Sequence, residues 1–86
     1  MAEVKLIYFA WLRERIGHGE ETAVLAPEIK TIADLLSWLR ARGEGYALAF
    51  AQPDIVRAAI DRRHCRHDAP LAGAREIAFF PPMTGG

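Results

Sequence analysis

The sequence predicts a two-layer α+β domain, a mixed sheet packed on one main helix, ending in a narrow tail. Three observations carry that reading. Segments rich in β-branched and aromatic residues stand near both ends of the chain, at Val4–Ala10 and Arg75–Phe80. One clear amphipathic helix lies between them, starting at Thr31. After Phe80 comes Pro81-Pro82-Met83-Thr84-Gly85-Gly86, where two prolines without N–H groups stop any β ladder.

The elements follow in order. Val4–Ala10 reads as a first strand, and its apolar stretch Leu6–Phe9 predicts burial on both faces in the middle of a sheet. Trp11–Ile16 has short helical spacing and stops at Gly17, a good residue for a left-handed helix end. Glu20–Ala26 alternates, Thr22 and Val24 against Ala23 and Leu25, and is closed by Pro27. Thr31 is an N-cap candidate, with Asp34 three residues on near the positive end of the helix dipole. Ile32, Leu35, Leu36 and Leu39 make one apolar stripe, Trp38 flanks it, Arg40 and Arg42 suit the last turn, and Gly43 ends it.

Tyr46–Ala51 reads as a short helix or a turn-rich connector, ended by Gln52-Pro53-Asp54. Ile55–Ile60 is a third strand, Asp61–Arg63 a tight turn, and His64–His67 a brief fourth strand at an edge. Leu71 plugs the core from a loop, and Gly73 marks the turn before Arg75–Phe80. A right-handed crossover through the helix sets the last strand parallel to the first, in the sheet centre. Residues 1–80 are then the folded domain and 81–86 an extended tail launched from its most rigid strand.

Composition narrows the function. Eighty-six residues, 51% of them hydrophobic, with eleven Lys+Arg balancing eleven Asp+Glu, describe one ordinary globular domain. The balance argues against a chain dedicated to nucleic acid. It also does little to hold partners apart. No apolar run is long enough for a bilayer, and Met1–Lys5 leads into strand-like sequence without a basic leader. A single cysteine rules out an internal disulfide framework and fits a reducing compartment, so a cytoplasmic protein is expected.

The tail is the candidate site. Glycine has no Cβ, so Gly85 and Gly86 fit a slot that larger residues would block, and they are costly to hold ordered in solution. Six residues from Pro81 to Gly86 reach up to roughly 20 Å when extended. That length threads a narrow channel while the body stays outside. Pro81, Pro82, Met83, Thr84 and Gly85 are therefore expected to enter a partner, delivering the carboxylate of Gly86. Phe9, Phe79 and Phe80 are the candidate interface residues beside it. Alternation sends Phe79 and Phe80 to opposite faces, so at least one of them is expected to meet another subunit.

Other constellations are weaker. Cys65 and His67 would share a strand face, but a structural zinc site needs four ligands, so no metal site is expected. Arg62, Arg63 and Arg66 read as a solvated turn, and no nucleic-acid module or membrane segment accompanies them. No Gly-rich phosphate loop occurs, so no cofactor is expected on the chain itself.

Several of these segments together resemble the small subunits of molybdopterin synthase, a family of ubiquitin-like (β-grasp) sulfur carriers. The resemblance runs through Val4–Glu14 with Leu12-Arg13-Glu14, the Thr31–Leu39 helix, Tyr46-Ala47-Leu48 and Asp68-Ala69-Pro70-Leu71. It is most specific over Glu76-Ile77-Ala78-Phe79-Phe80-Pro81-Pro82-Met83-Thr84-Gly85-Gly86. Departures are a less acidic Ala72–Arg75 turn and Cys65 in an ordinary strand position. The resemblance implies that an E1-like adenylating enzyme uses ATP and Mg²⁺ to make a glycyl adenylate at Gly86. A sulfur donor of the cysteine desulfurase or rhodanese type then converts it to a thiocarboxylate. The large synthase subunit takes in the tail and carries the active site where sulfur passes to precursor Z, cyclic pyranopterin monophosphate, to build the dithiolene. The family's assembly is a heterotetramer. A ubiquitin-like protein modifier, joined to lysine through Gly86, and a carrier for thiamine or other thiolation pathways are the alternatives.

Overall fold

The computed structural model describes residues 2–82. The elements are β1 (Ala2–Tyr8), α1 (Ala10–Ile16), β2 (Glu20–Leu25), α2 (Ile32–Arg40), α3 (Glu44–Ala49), a 3₁₀ turn (Pro53–Ile55), β3 (Arg57–Ile60), β4 (Arg63–Cys65) and β5 (Glu76–Phe80). The five strands are ordered β2-β1-β5-β3-β4. β5 is central, parallel to β1 and antiparallel to β3, as the crossover argument expects. The helices cover one face of the sheet. α2 is the longest of the three, so the main helix has two short companions.

The core forms where the periodicities converge. Val4, Leu6 and Tyr8 of β1, Ala23 and Leu25 of β2, and Ile77 and Phe79 of β5 point beneath the helices. Ile32, Leu35, Leu36 and Leu39 of α2 come down on them, with Leu12, Phe50 and Leu71 filling the remainder. Local chemistry sets the helix ends. Thr31 Oγ1 accepts the Asp34 N–H at 3.2 Å while Asp34 Oδ2 accepts from Thr31 and Lys30, a reciprocal cap. Gly17 closes α1 with φ 103°, its N–H donating to Arg13 O at 2.9 Å.

Four expectations need correction. β1 is flanked on both sides but buried on one face only: Lys5 and Phe9 are exposed and Ile7 is half-buried. Gly43 does not end the main helix, because α2 closes at Ala41 and Gly43 instead precedes α3. β3 starts at Arg57 rather than Ile55, since Pro53 nucleates a 3₁₀ turn in which Ile55 N–H reaches Gln52 O. β4 stops at Cys65, and His67 leaves the strand to place Nε2 2.7 Å from Val56 O.

The β3–β4 hairpin turns on Asp61 and Arg62, both left-handed at φ 48° and 72°. Asp61 is tolerated there because its Oδ1 accepts the N–H groups of Arg75 and Glu76 at 3.0 and 2.9 Å, pinning the hairpin to the start of β5. Gly45 answers to packing. A Cβ there would lie 2.6 Å from Arg15 O, so α1 and α3 meet through a hydrogen at this point. Helix propensity alone favours alanine by about 1 kcal/mol, but a backbone clash of this kind costs about 1–3 kcal/mol. Gly45→Ala is expected to lower stability in urea unfolding; a gain would show that the two helices separate freely.

Candidate functional site

The site is built outward from the end of β5. Phe9 donates its N–H to Phe79 O at 3.1 Å, which ties the start of α1 to the last strand. The chain turns sharply at Ala10, φ 53°, leaving the Phe9 ring 49% exposed. Pro81 and Pro82 lie beyond the strand and are half-buried, so the ladder ends where proline chemistry says it must. Met83, Thr84, Gly85 and Gly86 fall outside the described residues.

Phe79 and Phe80 part company. Phe79 is fully buried, stacked on Tyr8 at 6.2 Å and edge-on to Phe50 at 5.5 Å. That removes Phe79 from the candidate interface set: odd positions of β5 face the helices. Phe80 faces outward, edge-on to Phe9 at 6.4 Å and to His64 at 5.1 Å. The pairing register extends this face. Ile7, Ala78, Ala59 and His64 stand in one row across four strands, and Phe80 sits beside Arg57 in the next. An aromatic and aliphatic patch therefore surrounds the root of the tail on the face the helices leave open. His64 and Arg57 belong to it although the sequence reading assigned them no role. Outward alternation from Ala59 across a hairpin is the signal that could have found them.

On the helix side a carboxylate braces the same region. Glu21 Oε2 accepts from Tyr8 Oη at 2.7 Å and Tyr46 Oη at 2.5 Å, with His18 Nε2 at 3.2 Å; Arg42 donates to Oε1 at 2.9 Å. Burial works against the charged carboxylate, but the hydrogen bonds from Tyr46, Tyr8, His18 and Arg42 outweigh it and hold the pKa at about 2. Burial and the same carboxylate raise Tyr46 to about 12 and push Tyr8 well above the ordinary phenol range. Tyr8 thus carries the hydrogen-bonded cluster to the buried ring of Phe79, one residue before the outward-facing Phe80.

Cys65 is a poor nucleophile here. Burial pushes its thiol up, and Sγ lies 3.7 Å from Ala58 O. Among the described residues no group of three or more His, Cys, Asp or Glu side chains comes together to hold a metal. No helix among them is long and apolar enough to cross a membrane.

A mixed five-stranded sheet with a central parallel last strand, capped on one face by helices, defines a ubiquitin-like β-grasp domain. The chain belongs to the ThiS family, whose model matches residues 6–86. It is 32% identical over 83 residues to the molybdopterin synthase sulfur carrier subunit of Escherichia coli (strain K12), covering 96% of this chain and 99% of that one. The molybdopterin synthase sulfur carrier subunit of Haemophilus influenzae is 30% identical, with the same coverage. Among solved structures, small archaeal modifier protein 1 from Methanosarcina acetivorans superposes with a TM-score of 0.65 at 27% identity, covering 100% of this chain and 98% of that one.

Proposed function

We infer that this chain is the sulfur carrier subunit of a molybdopterin synthase, residues 1–80 serving as the handle and 81–86 as the tail. The observation that carries the reading is the central strand β5, which runs directly into Pro81-Pro82 and on to Gly85-Gly86, in a chain related over nearly its whole length to two such subunits.

A terminal carboxylate is anionic at neutral pH, with a pKa of roughly 3.3–3.7, and is a poor electrophile. Sulfur can replace oxygen only after that oxygen becomes a leaving group. An E1-like enzyme, using ATP and Mg²⁺, would join AMP to the Gly86 carboxylate and release pyrophosphate. A persulfide-type sulfur donor then attacks the carbonyl carbon and AMP departs. A second thiol, on the donor or a small-molecule thiol, then attacks the donor's own sulfur. The S–S bond to the glycyl sulfur breaks, the thiocarboxylate leaves, and the two thiol sulfurs end as a disulfide. No group of this chain serves as acid or base in those steps. Its contribution is the sulfur nucleophile and the positioning that makes transfer to precursor Z effectively intramolecular.

The acid–base and cationic groups, and hence the active site, belong to the large subunit in this reading. Ile7, Phe9, Ala78, Phe80 and His64 form the face that docks, with cytoplasmic location and a heterotetrameric assembly as further parts of the proposal. Intact-mass spectrometry after incubation with the adenylating enzyme, ATP·Mg²⁺ and a sulfur donor tests it. The expected product gains the mass difference between sulfur and oxygen. An unchanged mass, under conditions that charge a known carrier, would sink the reading. The likeness to small archaeal modifier protein 1 gives the modifier alternative a specific basis. Gly86-dependent isopeptide adducts on denaturing gels, without sulfur gain, would favour it.

A further inference from the structure

We propose that Arg57 and Arg66 form an electrostatic docking site, at the root of the tail, for an acidic strip on the protein that receives the tail. The proposal rests on the carrier reading and adds to it the charge of the partner's surface.

A groove of about 470 Å³ lies immediately beside the chain's exit, with Asp54, Arg57, Arg66, His67 and Pro82 among the residues that line it. Its shape is fixed from below. His67 Nε2 sits 2.7 Å from Val56 O, and His67 O accepts the Ala33 N–H at 2.8 Å, so the β4 exit is pinned to the residue before β3 and to α2. Arg57 and Arg66 are exposed, and neither forms a salt bridge among the described residues, where the pairs are Lys5–Glu20, His18–Glu21 and Arg42–Glu21. Arg57 is the register partner of Phe80, so the charged groove continues the aromatic docking face without a gap.

Two guanidinium groups free of internal partners, at the edge of an apolar patch, match the polar rim of a protein interface. Arginine is the cation suited to such a position, because its planar fork meets a carboxylate with two parallel hydrogen bonds. The same feature argues against nucleic acid. Asp54 shares the groove, Asp68 follows one residue after His67, and the chain's net charge is zero. A polyphosphate backbone would meet these carboxylates as well as the arginines, whereas a protein partner can offset each of them individually. At the opposite edge of the open face, Lys5 and Glu20 neutralise each other at 2.9 Å. The face's other carboxylates, Glu3 and Glu76, lie at the end away from the tail, so Arg57 and Arg66 supply the positive charge beside it, where they would orient an approaching partner.

The test is association kinetics between the full chain and the purified large subunit of the same synthase, at low salt and at high salt. Rim charges act mainly on the encounter rate and its salt dependence. The double variant Arg57→Glu/Arg66→Glu is expected to slow association about tenfold at low salt, with the difference closing at high salt. The control Arg13→Glu/Arg40→Glu is expected to leave the rate within about twofold. Equal slowing by both pairs, or no slowing by the first, would overturn the proposal. Retention on an RNA homopolymer through Arg57 and Arg66 would overturn it in favour of nucleic acid. Absence of any complex with the unsubstituted chain is a separate result: it removes the carrier-subunit reading on which the proposal stands. Circular dichroism of each variant separates a docking effect from misfolding.

Discussion

A chain shortened by Gly85 and Gly86 is expected to melt within about 2 °C of the full chain while losing sulfur charging and transfer altogether. Among the described residues the last member of the core is Phe79. On the proposed carrier reading, the chemistry depends on where the carbonyl carbon of Gly86 lies. Well-placed reactants gain effective molarities of roughly 10⁵–10⁸ M, so withdrawing the reacting atom by two residues, about 7 Å, forfeits that advantage in the activating enzyme and in the synthase. The large subunit should still bind, because Phe9, Phe80 and His64 are untouched. Three measurements on one variant resolve the matter: thermal unfolding, binding to the large subunit, and intact mass after charging. Full charging of the shortened chain would place the reactive group somewhere other than Gly86.

Retained docking with lost chemistry would also locate the division between handle and tail. β5 lies between β1 and β3, so its last two residues are held, Phe79 by the Phe9 N–H on its carbonyl and Phe80 by its pairing with Arg57. The exit point is therefore among the most constrained positions of the fold. A partner that grips Phe80 and its neighbours fixes the origin of the tail, and the remaining residues only need to span the channel.

Most of the architecture was legible because it is local. The Thr31–Asp34 cap and the Ile32, Leu35, Leu36, Leu39 stripe are encoded within nine residues and appear as read. The β5 assignment follows from its β-branched and aromatic run, and its stop at Pro81 from proline chemistry. What misled was the run Leu6-Ile7-Tyr8-Phe9, taken as burial on both faces. Its alternate members do point both ways, but Ile7 and Phe9 point to an open face, where the proposed partner would supply the missing cover. A sequence shows that a side is apolar; it does not show which molecule buries it. Phe79, an expected interface residue, is buried in this chain's own core, and Phe80 is the outward member of the pair. The Glu21 cluster escaped notice because its partners lie 13, 21 and 25 residues away at Tyr8, Arg42 and Tyr46. The clue was alternation in β2, where odd positions Ala23 and Leu25 face the core and Glu21 must face it too.

That half-buried carboxylate gives the second large effect. Glu21→Ala is expected to cost about 2–4 kcal/mol at pH 7, since it strips the Tyr8 and Tyr46 hydroxyls of their acceptor and Arg42 of its counter-ion. Against a total stability of about 5–15 kcal/mol for a domain of this kind, the loss is severe. The pH dependence distinguishes this mechanism from simple loss of packing. The folded carboxyl titrates at about 2, below its ordinary 4.5. Its contribution is therefore fully present above pH 4.5 and is lost as pH falls through that range toward 2. At about 1.4 kcal/mol per pKa unit, the displacement corresponds to about 3 kcal/mol. Urea unfolding of both proteins at pH 7 and near pH 2 should show a gap that shrinks on acidification, because the parent loses what the variant already lacks. Glu14→Ala, an exposed carboxylate on α1, should change stability by no more than about 0.5 kcal/mol at either pH. A Glu21→Ala gap that stays constant from pH 7 to pH 2 would mean that the side chain stabilises the fold by filling space, with its charge and hydrogen bonds contributing nothing.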